Sequence, residues 1–71
     1  MDRNQLEQLG EKLREIGHKR RQLAEKILQE VEDGDNAVSK SLYQELSSIS
    51  DQAIEVMLQQ KAMFDQEVKN L

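Results

Sequence analysis

The sequence predicts an all-α, coiled-coil-like antiparallel two-helix hairpin, and three observations predict it. Apolar residues recur with a period of about 3.5 along both halves of the chain. A single cluster of turn residues, Asp33-Gly34-Asp35-Asn36, separates the halves. The 71 residues include no Pro and only three Gly, too little turn chemistry for an all-β chain. The length allows one domain. The expected layout is a single hairpin over residues 1–71: helix 1 about 2–33, hinge 34–36, helix 2 about 37–70.

Helix 1 is read from Leu6, Leu9, Leu13, Ile16, Leu23 and Ile27, which occupy the a and d positions of a heptad. Arg20 takes the one a position that is charged. A charge there fixes register or oligomeric state at some cost in stability. Asp2, followed three residues later by Gln5, resembles a capping box and marks the start. Gly34 suits the left-handed residue that ends a helix, and Asp35 or Asn36 suits the N-cap of the next.

Helix 2 is read from Val38, Leu42, Leu46, Ile49, Ala53, Val56, Met57, Met63, Phe64, Val68 and Leu71. At roughly 32–36 residues each, the helices are about 50 Å long. So short a hinge makes them antiparallel. Leu9, Leu13, Ile16, Leu23, Leu42, Leu46, Ile49 and Val56 are the expected seam. Gly10, Gly17 and Ala24 lie seven apart in helix 1, as do Tyr43, Ser50, Met57 and Phe64 in helix 2. A fold centred near residue 37 sets Gly10 opposite Phe64 and Gly17 opposite Met57. Large side chains would then fill the space the glycines leave, which accounts for two helix-interior glycines that each cost about 1 kcal/mol against Ala.

A lone hairpin of this size buries a small core. Helix 2 also carries apolar residues off the seam. Leu28, Ile54, Met57 and Leu58 are the expected partner-binding residues, because a helix apolar on more than one face is buried on more than one face. The expected assembly is a four-helix bundle, completed by dimerisation or by packing on a partner helix.

The composition excludes several classes of chemistry. There is no Cys and one His, so neither a disulfide framework nor a zinc site is expected. Two aromatic residues cannot build a base-stacking platform. A hairpin offers His18, on the outer face of helix 1, no concavity for general-base work. Asp33 and Asp35 lack the remaining ligands of a calcium loop and are read as caps. No catalytic residue, cofactor or metal is expected, and the chain is read as not an enzyme.

The net charge of -4 argues against nucleic acid or an anionic membrane as a general partner. No apolar run reaches the roughly 20 residues of a membrane span. The N-terminus lacks a signal-peptide or transit-peptide pattern, so the expected location is cytoplasmic. One local feature runs against the overall charge. Arg14, His18, Lys19 and Arg21 form a possible basic ridge on helix 1, interleaved with Glu11, Glu15 and Glu25.

Leu42-Tyr43-Gln44-Glu45-Leu46 resembles the second-helix motif Ser-Gln-Glu-Leu-Asp of small sporulation phosphatases. Tyr43 stands where that family has serine and Ser47 where it has aspartate, so no phosphatase role carries over. The layout, with Gly-Asp at the hinge and Tyr-Gln early in helix 2, is similar to that of small co-chaperones of type III secretion needle subunits, without a diagnostic motif. The expected function is therefore a non-catalytic protein–protein interaction module: a small adaptor, regulator or chaperone-like subunit. Its partner is a second copy or another helical protein. The alternative is an RNA-binding hairpin dimer that uses the basic ridge.

Overall fold

The computed structural model describes Met1–Leu71 and is all-helical. Helix α1 spans Arg3–Glu32 and helix α2 spans Asn36–Lys69. The two pack against each other as an antiparallel hairpin measuring 54 × 17 × 13 Å. A helix with its side chains is about 10–12 Å across, so the molecule is one helix thick.

Local hydrogen bonding sets the ends. Asp2 caps α1, its carboxylate accepting from the Gln5 backbone N–H at 3.2 Å. At the other end the Asp35 N–H reaches Glu30 O and the Gly34 N–H reaches Val31 O. These are the two bonds of a Schellman motif, and Gly34 is its left-handed residue, with φ 79°. Asp35 then caps α2, accepting from the Val38 N–H at 3.1 Å. The Ser39 hydroxyl donates to the Asp35 carbonyl at 2.7 Å. One residue thus closes the first helix and opens the second, and the turn is Asp33–Asp35 rather than residues 34–36.

The seam follows an unbroken alternation of three and four residues. In α1 it runs Leu6, Leu9, Leu13, Ile16, Arg20, Leu23 and Ile27; in α2 it runs Leu42, Leu46, Ile49, Ala53, Val56, Gln60, Met63 and Glu67. Leu9, Ile16, Ala53 and Val56 form the buried cluster, with Leu13, Ile49 and Met63 packed on it. Only five of the 71 residues are buried, because two helices share one line of contact. Glu67 closes the open end by accepting from the Met1 amino group at 2.8 Å.

The turn at Gly34 corrects the glycine register. Arg20 Nε donates to Ser50 Oγ at 3.0 Å. Continued along the helices, that pairing sets Gly17 level with Ala53 and Gly10 level with Gln60, not with Met57 and Phe64. A Cβ built on Gly10 or Gly17 meets nothing within 4 Å. The glycines therefore do not receive side chains from the same chain. The expectation placed the centre of the fold about two residues too late, which moves every pairing by about four residues, roughly one helical turn.

Candidate interaction face

The two long edges of the hairpin differ. One edge carries the g positions beside the seam. There Lys19 and Lys26 of α1 lie with Glu45 of α2 around a shallow groove floored by Leu23 and Ile49. Further along α2 the g positions are Gln52, Gln59 and Gln66. This edge is polar from end to end.

The other edge carries the e positions. Gly10, Gly17, Ala24 and Val31 line it on α1; Tyr43, Ser50, Met57 and Phe64 line it on α2. Gly17, Ala24 and Leu46 share a groove there with Arg20 and Arg21. One position further round α2 come Ile54 and Val68. Together these residues form a second, largely apolar stripe one residue round from the seam, interrupted by Ser47, Ser50 and Lys61. Seam and stripe make α2 apolar over an arc too wide for one neighbouring helix to cover.

Nothing in the chain covers this stripe. Ile54 is 51% exposed, Met57 48% and Phe64 47%, against 3% for the seam residue Val56. Exposure of this kind at isolated positions is ordinary, but several such side chains gathered on one side of a helix are not.

The expected partner residues divide accordingly. Ile54 and Met57 lie on the stripe, and Leu28, also exposed, lies on the same side of the hairpin at the rim of α1. Leu58 does not join them: its heptad position is opposite the seam, on the back of α2. Tyr43, Phe64 and Val68 lie on the same side of α2 as Ile54 and Met57. Their signal was present in the seven-residue spacing of Tyr43, Met57 and Phe64, which the mistaken register had assigned to packing inside the chain.

The basic ridge is split. Arg14, His18 and Arg21 surround a shallow depression beside Gly17. Lys19 faces the polar edge with Lys26 and Glu45 instead. His18 lies 3.4 Å from the Gln22 side-chain amide. No three His, Cys, Asp or Glu side chains converge where they could hold a metal ion. No helix is long and apolar enough to cross a membrane.

The ionic contacts are few. Lys61 pairs with Asp65 one turn along its own helix, and the Met1 amine pairs with Glu67. Hydrogen bonding to Glu67, then the charge of Glu67, raises that amine above its ordinary pKa. Comparison with protein-family models, with curated proteins and with solved structures returned no match.

Proposed function

We propose that this chain is a non-catalytic protein–protein interaction module, a small adaptor, regulator or chaperone-like subunit that works by helix–helix packing in the cytoplasm. The observation that carries the proposal is the uncovered stripe of Ile54, Met57 and Phe64 running beside an already occupied seam. Its counterpart is a further helical layer, which turns the two-helix sheet into a four-helix bundle. The opposite edge, lined by lysines and glutamines, stays in water.

Met57→Glu combined with Phe64→Glu tests this reading. Both side chains are half exposed, so the substitutions spare the seam. Cross-linking in cells, read by mass, should give a defined adduct for the native chain and none for the double variant. Identical adducts from both chains would overturn the reading.

A second reading rests on Arg14, His18 and Arg21 sharing one depression. RNA binding there would show a steep salt dependence lost in Arg14→Gln with Arg21→Gln. No binding to a mixed RNA pool at low salt would remove it.

A further inference from the structure

We propose that the occupant of the apolar edge is a second copy of this chain, stacked about a two-fold axis parallel to the helices. Each α1 then lies antiparallel along its partner's α2, at the same height as along its own. This inference rests on the interaction reading above and specifies its partner.

Surface area is the first argument. A compact chain of 8.2 kDa exposes about 4,500 Å². This chain exposes 5819 Å², about 1,300 Å² more than that scaling gives. A compact chain of twice the mass exposes about 7,500 Å², so two separate copies expose about 4,000 Å² more than one compact particle of their joint mass. That excess is in the range that obligate dimers bury.

Charge is the second argument. The stripe itself carries two charges on α2, Lys40 and Lys61. The register read from Arg20 and Ser50 assigns each a height on the partner's α1. Lys61 comes level with the gap between Glu7 and Glu11. Lys40 comes near Glu32. Both lysines come within two residues' rise, about 3 Å, of a glutamate. Lys40, Glu7, Glu11 and Glu32 make no ion pair within their own chain, and Lys61 pairs only with Asp65 of its own helix. The alternative two-fold, perpendicular to the helices, stacks α1 on α1 and brings Arg14 against the partner's Arg21 twice.

Shape agrees with charge. In this stacking Gly17 lies level with the partner's Ile54, and Leu28 level with the partner's Tyr43. The space over Gly17 is empty in the single chain. A large side chain from a second copy fits where none from its own chain reaches. Dimerisation also gives the helix-interior glycine a use that the hairpin alone does not.

Sedimentation equilibrium across a concentration series should give twice 8.2 kDa at low micromolar concentration. Ile54→Glu should weaken self-association by about 30-fold or more, the effect of losing one central anchor. A monomer at 100 μM that keeps its native helicity overturns the second-copy inference. If that monomer still yields a defined adduct lost in the Met57→Glu, Phe64→Glu chain, the interaction reading stands without it.

Cysteine pairing tests the arrangement without depending on the stability of a charged variant. Gly17→Cys and Ile54→Cys chains, mixed and oxidised, should give a disulfide-linked heterodimer. Either variant alone should give little, because like helices are diagonal in this bundle. Efficient linkage of Gly17→Cys chains to each other, or no linkage in the mixture, overturns the arrangement.

Discussion

Arg20 and Ser50 join the two helices through a 3.0 Å hydrogen bond from Nε to Oγ. Arg20 occupies a seam position of α1 whose other members are all Leu or Ile. Its stem covers apolar surface while its head leaves the seam at the e edge to meet the hydroxyl. The pair makes register visible, since sliding one helix by a turn removes the acceptor. Ser50→Ala should lower stability by about 0.5–1 kcal/mol. Arg20→Leu should raise the thermal midpoint while losing this register mark. Thermal melts of the single and double variants, analysed as a cycle, give the coupling.

Seam and back should respond differently to truncation. Ile16→Ala removes part of the buried cluster, at a cost of about 2–4 kcal/mol, a large share of what so small a core supplies. Far-UV circular dichroism at 25 °C should show substantial loss of helix. Leu58→Ala, on the exposed back of α2, should change stability by no more than about 0.5 kcal/mol.

The turn concentrates its sensitivity in two residues. Gly34 has φ 79°, so Gly34→Ala forces a side chain into the left-handed region and should cost about 1 kcal/mol. Asp35→Ala removes the acceptor for the Val38 N–H and should also cost about 1 kcal/mol. Asp35→Asn, which keeps an acceptor oxygen, should recover most of the loss in a urea titration.

Gly10 and Gly17 have open space around their Cβ directions. Replacing either with Ala should stabilise the separate hairpin by about 0.5–1 kcal/mol through helix propensity. Gly17→Leu should keep the hairpin helical at high dilution and weaken its self-association, because the added side chain occupies the place of the partner's Ile54. Circular dichroism at high dilution, paired with sedimentation, separates the two effects.

The Met1 amine has a raised pKa because its protonated form donates to Glu67. The sign follows from linkage. The contact's contribution is complete below the ordinary amine value of about 8 and is lost as pH rises through the folded-state value. Amide exchange at the open end of the hairpin should therefore quicken on the alkaline side. Acetylation of Met1 should give the quicker exchange at neutral pH as well.

The sequence alone determined the helices and the turn between them. A three-four alternation from Leu6 to Ile27 and another from Leu42 to Met63 can satisfy only a helical period, and Asp33-Gly34-Asp35 is the one place where the backbone can leave it. The seam residues were legible for the same reason. Register, and with it the reading of the second stripe, came from the packing of one helix on the other. The heptad repeats every seven residues, so it marks the sides of a helix without marking which turn meets which. The hinge sets that, and an error of about two residues in its centre turned an uncovered edge into an interior one. Arg20 opposite Ser50 removes the ambiguity and leaves Ile54, Met57 and Phe64 outside the hairpin. Leu58 left the candidate site on geometry that residue type does not carry: it is as apolar as Ile54, but the helix turns it to the back.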